Sequence, residues 1–240
     1  MIDIHNHILW DVDDGPKTIE NSIEMAKQAV ELGISHIITT PHYYPGKYEI
    51  SKNQIRSQAR ILNSKLVELN IPIKLKVGQE VYFNETLFED LDFGHIAPIE
   101  GTRYILIEMS FIEIPLYAFE FLLKLVEQGY KPIIAHPERY NSIQQNLYIL
   151  DRLVDIGCLL QMNAGSLLGI HGKPAKKAAK FMIKNYKLHI IGSDAHNTTN
   201  RPFLIEKVYK KIHSKEFKEY LIENTKCIWN DDKIDLFKYF

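Results

Sequence analysis

The stretch Lys131-Pro132-Ile133-Ile134-Ala135-His136-Pro137-Glu138-Arg139 joins a short β-branched run directly to a histidine, a proline and an arginine. Runs of the same kind recur at residues 1–4, 36–39, 73–78, 104–107, 158–162 and 188–192, and longer helical patterns separate them. After the first run, Ile19, Ile23, Ala26, Val30 and Leu32 keep helical spacing, Thr18 is placed to cap the start, and Gly33 can take the left-handed stop. Similar periodicity predicts helices over residues 55–69, 115–128, 147–156 and 175–185. Seven strands alternating with helices predict a parallel α/β sheet. No Gly/Ser tract, proline-rich stretch or internal repeat divides them, so residues 1–240 are expected to form a single domain, its C-terminal tail from about residue 214 being the part the sequence defines least.

Right-handed βα units can close into a barrel or spread into an open sheet, and periodicity alone does not separate the two. The polar residues do. His5 and His7 follow the first run, His42 the second, Glu80 the third, Glu108 the fourth, His136 the fifth, and Asp194 and His196 the seventh. Asp14 lies on the loop after the first strand. The carboxyl ends of a parallel barrel's strands share one face, so these residues converge there, whereas an open sheet would spread them along a line. The expectation is a distorted seven-stranded (β/α)7 barrel. One histidine at a strand end is more often a buried structural residue than a ligand, and Asp13-Asp14-Gly15 alone is more often a turn. The set is what carries weight, since His36, His171, His189 and His213 fall elsewhere, at strand starts, loops or helix surfaces.

Composition excludes other classes. The chain is 45% apolar and 25% charged, the profile of a globular protein with a sizeable core. Twenty-nine basic against 30 acidic residues leave a formal net charge of -1, too balanced for a phosphate-backbone binder, so no nucleic-acid partner is expected. Two cysteines, Cys158 and Cys227, suit a reducing, cytoplasmic setting, and no apolar run suggests export or a membrane span.

Imidazoles with carboxylates and no thiolate suit manganese, iron or zinc, and nine candidate ligands suffice for two or three ions. Closely spaced ions of this kind are the usual device for hydrolysing phosphate esters. Arg139 and Arg201, two of only six arginines, each follow a candidate ligand closely, and a planar guanidinium matches phosphate bidentately. Neither cysteine begins a Cys-x5-Arg pattern, since Ala164 and Lys233 stand six residues beyond them.

His5-x-His7, Asp13-Asp14-Gly15, Thr40-Pro41-His42, Gly78-Gln79-Glu80, Ala135-His136-Pro137-Glu138-Arg139 and Ser193-Asp194-Ala195-His196-Asn197 together resemble the bacterial manganese-dependent tyrosine-protein phosphatases of the polymerase-and-histidinol-phosphatase superfamily, the group associated with capsule and exopolysaccharide synthesis. The resemblance extends to about Phe203 and fades from about Ser214. It implies three Mn2+ ions: one held by His5, His7, Glu80 and Asp194, a second by Glu80, Glu108 and His136, and a third by Asp14, His42 and His196. Arg139 and Arg201 would grip phosphate, and the substrate would be phosphotyrosine on a bacterial tyrosine kinase. Tyr43 and Tyr44, next to His42, are candidates for lining the entrance. The alternatives are a small-molecule phosphatase of the histidinol-phosphate type, an amidohydrolase, and a non-catalytic binding module closed by metal. The amidohydrolase would place a histidine after the sixth strand, where Gln161 and Asn163 stand.

Overall fold

The computed structural model describes residues 1–237, and the last three residues of the apolar ending Leu236-Phe237-Lys238-Tyr239-Phe240 lie outside them. Among the described residues the strands are β1 (Ile2–Asp3), β2 (His36–Thr39), β3 (His42–Tyr43), β4 (Lys74–Val77), β5 (Glu80–Tyr82), β6 (Tyr104–Glu108), β7 (Lys131–Ala135), β8 (Leu159–Asn163) and β9 (Ile190–Gly192). The helices are α1 (Ile19–Glu31), α2 (Lys52–Glu68), α3 (Leu87–Asp92), α4 (Leu116–Glu127), α5 (Asn141–Gln145), α6 (Ile149–Ile156), α7 (Ala164–Leu168), α8 (Gly172–Lys184), α9 (Ile205–Tyr209) and α10 (Lys215–Asn230).

All strand pairs are parallel, in the orders β1-β2-β4 and β3-β5-β6-β7-β8-β9. The nine strands trace seven lines. β2 and β3 are halves of one strand interrupted at Thr40-Pro41, and β4 and β5 are halves of another interrupted at Gly78-Gln79. Hydrogen bonds from Gly78 N to Thr39 O (2.8 Å) and from Glu80 N to Pro41 O (3.0 Å) carry the pairing across both breaks. Beyond β9, Asp194 N donates to His5 O and His7 N to Ala195 O, each at 2.8 Å, and Asn6 bridges Ala195 in parallel. The last line therefore meets the first, and the ring is the distorted seven-stranded α/β barrel that the strand ends required.

Its filling follows the two-residue alternation of strands. Ile4, Ile38, Leu106, Ile133, Ala135 and Ile190 share the interior cluster, while Ile105, Ile107, Ile134, Leu160 and Ile191 join the core packed beneath the helices. Burial on both faces is why these strands read as continuous apolar runs. Thr18 caps α1 by accepting from Asn21 N, and Gly33 takes a φ of +78°, as the periodicity required.

The region beyond residue 214, which the sequence defines least, carries a regular helix. Ser214 accepts from Phe217 N and starts α10, and Ile228 of that helix enters the interior cluster. Asn224 Nδ2 donates to His189 O (2.8 Å), Tyr104 OH to Asp232 O (2.6 Å), and Lys76 Nζ to Trp229 O. His189 directly precedes β9, Tyr104 begins β6 and Lys76 lies within β4, so α10 and the residues after it cover the amino-terminal end of the barrel. Phe237 packs against Tyr186, Phe217 and Tyr220.

Candidate metal centre

At the opposite end, the structure brings all nine predicted metal-type residues into one connected cluster. Alternation along β6 turns Tyr104, Leu106 and Glu108 to the same side, which sets Glu108 at the inner rim. After Ala135 the same rule would turn the next residue outward. Instead His136 adopts φ 34°, ψ 53°, a left-handed conformation in which histidine is among the enriched residues, and its ring reaches the carboxylates inside. Asp194 is likewise left-handed, at φ 53°.

Glu80 is the centre of the cluster. Its Oε2 lies 3.2 Å from His5 Nε2, 3.2 Å from His7 Nε2 and 3.1 Å from His42 Nδ1, and its Oε1 lies 2.9 Å from His136 Nε2. Asp194 Oδ1 stands 3.7 Å from His5 Nε2, 3.5 Å from His7 Nε2 and 3.5 Å from His196 Nδ1. Glu108 is 3.7 Å from His42 and 3.6 Å from His136, and Asp14 is 3.1 Å from His196 and 3.5 Å from His42.

These spacings are those of ligands around a common ion. Two donors each about 2.1 Å from a metal are separated by about 3.0 Å at a right angle and about 3.4 Å in a tetrahedron. Three groups bring one donor atom from each residue within 4.8 Å of all the others: His5, His7 and Glu80; His42, Glu80 and Glu108; and His7, Asp14, His42 and His196. These groups differ from the sets implied by resemblance at three points, the first being that Asp194 stands beside His5 and His7 but outside their group. His7 also faces the third group, and His42 stands beside Glu80 and Glu108 where His136 was expected, with His136 approaching the same two carboxylates through their other oxygens.

The buried polar atoms point to the same chemistry. His5 Nε2, His7 Nε2, His42 Nδ1 and Glu80 Oε2 are buried and make no hydrogen bond, a costly arrangement unless a ligand satisfies them. Burial opposes charge on His5 and His7, yet Glu80 for the first and Asp13 for the second hold both rings above the ordinary histidine range. Burial likewise opposes ionisation of Glu80, but His5 and His42 keep it well below the carboxylate range. Glu108 is pushed up to about 8 by burial and then by the Glu80 and Asp194 carboxylates. The carboxylates thus draw positive charge between them, which is the attraction a bound cation satisfies.

A second layer orients the first. Asp13 Oδ2 is 2.7 Å from His7 Nδ1 and also accepts from His42 N at 3.0 Å. Gly15 lets this loop close, since a Cβ there would stand 2.4 Å from His7 O. Gln161 Oε1 holds His5 Nδ1 at 2.8 Å, Gln161 Nε2 donates to Asn163 Oδ1, and Asn163 Nδ2 donates to Asp194 Oδ2 at 2.6 Å. Asp13 is not among the ligands expected from the sequence, where Asp13-Asp14-Gly15 alone reads more often as a turn. The signal available was its place beside Asp14 on the loop after a His-x-His strand.

Arg139 and Arg201 both reach the rim. Arg139 Nη1 donates to Asp194 Oδ2 (3.1 Å) with its guanidinium 4.6 Å over the Phe111 ring, and Arg201 donates to Asp194 Oδ1 (2.9 Å) and Asp14 Oδ2 (3.4 Å). The mouth is a cavity of about 410 Å3 lined also by Tyr44, Lys47, Tyr48, Tyr82 and Phe111. Tyr43 is not among them. It is buried, and its hydroxyl donates to Asp90, because alternation on β3 sends it outward under the helices while His42 faces in. Tyr48, stacked on His42 at 5.6 Å, and Tyr82, stacked on Tyr44 at 4.0 Å, supply the other tyrosines at the rim. Cys158 is buried in the core with its thiol pushed up to about 12 by burial, and neither cysteine lines the mouth.

A parallel barrel with an imidazole and carboxylate cluster at its carboxyl mouth, and arginines beside it, has the build of a metal-dependent hydrolase. The chain belongs to the CpsB/CapC family of capsular polysaccharide synthesis, whose profile matches residues 1–230. It is 40% identical over 240 residues to CapC of Staphylococcus aureus (98% of this chain, 93% of that one) and 38% identical to the tyrosine-protein phosphatase YwqE of Bacillus subtilis (98% and 93%). Its structure matches, at a TM-score of 0.93 and 38% identity over 98% of this chain and 96% of the other, one solved in a study of YwqE and Streptococcus pneumoniae CpsB, described as metal-dependent tyrosine phosphatases. A histidinol phosphate phosphatase of Lactococcus lactis, 16% identical, shares the fold at a TM-score of 0.58 over 88% of this chain and 91% of that one. The match through residue 230 takes in α10, beyond the point where the motifs fade.

Proposed function

We propose that the chain is a metal-dependent protein-tyrosine phosphatase working as one unit in the cytoplasm, with phosphotyrosine on a bacterial tyrosine kinase of capsule synthesis as its substrate. The observation that carries the reading is the set of unpartnered buried donor atoms facing one another around Glu80, beside two arginines. His5, His7, Glu80 and Asp194 would hold one ion, Glu80, Glu108 and His136 a second, and Asp14, His42 and His196 a third, with manganese the first choice and iron or zinc chemically admissible. Such ions supply hydroxide near neutral pH and neutralise charge on the transferred phosphoryl group.

The chain's own residues do the remainder. Arg139 and Arg201 turn from Asp194 to the phosphate oxygens, where a planar guanidinium binds two at once. Phe111 fixes the plane of Arg139, and Tyr44, Tyr48 and Tyr82 offer aromatic faces to the substrate ring. Among the described residues no thiol lines the rim, and Glu108, the carboxyl there that is pushed up to about 8, is counted with the ligands, which suits a phenolate leaving group with a conjugate acid pKa of about 10 better than an alkoxide nearer 16. Both cysteines are free, in keeping with a reducing compartment. Among the described residues no helix is long and apolar enough to cross a membrane.

The test is kcat/KM on matched phosphotyrosine and phosphoserine peptides with manganese present, alongside histidinol phosphate. Preference for the phosphotyrosine peptide is expected. Equal rates on the two peptides refute the tyrosine specificity, and faster turnover of histidinol phosphate gives the site to a small ester.

A further inference from the structure

Beside the metal mouth, and sharing Tyr44, Tyr82 and Ser110 with it, runs a groove of about 730 Å3. The Tyr44 and Tyr82 rings, 4.0 Å apart and within 3° of parallel, stand at the boundary, and Phe83, Pro115 and Tyr117 add apolar lining. The two openings differ in charge. Lys47, Arg139 and Arg201 lie at the metal mouth, whereas the groove is lined by Glu85 and Glu113 and by no cation. Both glutamates are exposed, and among the described residues neither takes part in an ion pair or side-chain hydrogen bond.

We propose that this groove seats the residues flanking the phosphotyrosine and that Glu85 and Glu113 select a lysine or arginine there. The inference rests on the phosphatase reading. A peptide whose phosphorylated ring enters the mouth must carry its backbone onto the adjoining surface, and at about 3.3–3.6 Å per extended residue the first three neighbours reach roughly 10 Å. Phosphate then meets the cationic side and a basic neighbour the acidic side, while an acidic neighbour faces two carboxylates, so the same surface attracts one peptide and repels the other. The aliphatic stem of lysine or arginine packs on tyrosine faces such as those at the boundary, with its charged head left in water.

The experiment compares phosphotyrosine peptides that carry Lys or Glu at each of the three positions on either side of the phosphotyrosine, using the manganese-loaded enzyme, with p-nitrophenyl phosphate as a substrate lacking flanking residues. At one or more positions Lys is expected to exceed Glu in kcat/KM by about three- to tenfold, the size of one or two solvent-exposed charge pairs, and the ratio shrinks at high salt. The double variant Glu85→Gln, Glu113→Gln abolishes the ratio and leaves p-nitrophenyl phosphate turnover unchanged. A ratio near one at all six positions, or one that survives in the double variant, overturns the groove assignment while the phosphatase reading stands. Failure to hydrolyse any phosphotyrosine peptide removes both.

Discussion

At His7 one hydrogen bond decides which nitrogen faces the cluster. Asp13 is held below the usual carboxylate range despite its burial, chiefly by His7, so it can only accept, and Nδ1 of His7 carries the proton. Nε2 is left toward Glu80 and Asp194. Asp13→Asn loses the charge that fixes this tautomer and is expected to weaken metal binding by about 10- to 100-fold, the usual cost of a lost orienting partner, as read by titration of the metal-free protein. Unchanged affinity would mean that Asp13 serves the loop alone. Arg139 poses the opposite case. Asn163 also bonds Asp194 Oδ2, at 2.6 Å, so Asp194 keeps a partner when the arginine goes. Arg139→Ala should lower kcat/KM by about 10²–10³-fold, comparable to losing one transition-state donor, with metal content intact. If metal content falls as far as in His136→Ala, Arg139 supports the centre rather than the phosphate. Residue types and their strand-end positions made the ligand candidates readable. The orienting layer was harder to read, because Gln161 and Asn163 meet His5 and Asp194 only when β8 lies beside β9.

Among the elements, β6 and β7 were legible because both faces are buried and each carries an unbroken apolar run, and β8 because Leu159, Leu160 and Met162 keep the run readable around Gln161. β3 and β5 were not, for they are two and three residues long and follow breaks at Pro41 and Gly78. Helix α10 was missed for another reason: its buried face, Phe217, Leu221, Asn224, Thr225 and Ile228, includes two polar residues that weaken the apolar stripe. Ile228→Ala should cost about 2–5 kcal/mol by opening a cavity at the barrel's base, measured by denaturant unfolding, with kcat/KM unchanged below the transition because the metal mouth is at the other end. Loss of activity in a folded variant would tie the base to the mouth. At the start of β9, His189 Nδ1 accepts from Leu160 N (3.0 Å), and burial pushes its pKa down to about 4. The unfolded chain takes up this proton near pH 6.5, so the folded chain binds fewer protons between about 4 and 6.5. The stability contributed is full above 6.5 and is lost as pH falls through that window, on the order of 3 kcal/mol. His189→Asn, which retains an acceptor without a titrating ring, should flatten the fall of melting temperature between pH 6.5 and 4. An unchanged slope would assign it to other groups.

Across the whole molecule, near-neutral composition hides a separation of charge: carboxylates and imidazoles at the centre of the mouth, cations at its rim, and Glu85 and Glu113 in the adjoining groove. Chain-wide counts cannot show this, since the residues concerned are scattered from His5 to Arg201 and meet only when the ring closes through Asn6 and Ala195. The motif positions did point to a closed ring, because only a barrel brings those strand ends to one face. On the proposed function, this ring holds ions that hydrolyse phosphotyrosine without a thiol. The most direct measurement is the kcat/KM of the purified protein on a phosphotyrosine peptide before chelation, after it, and after manganese is returned, in the native sequence and in Cys158→Ser. Abolition by the chelator, recovery with manganese, and equal behaviour of the two proteins are expected. Turnover that survives complete removal of metal, or that disappears in a folded, metal-loaded Cys158→Ser, would contradict the proposed function.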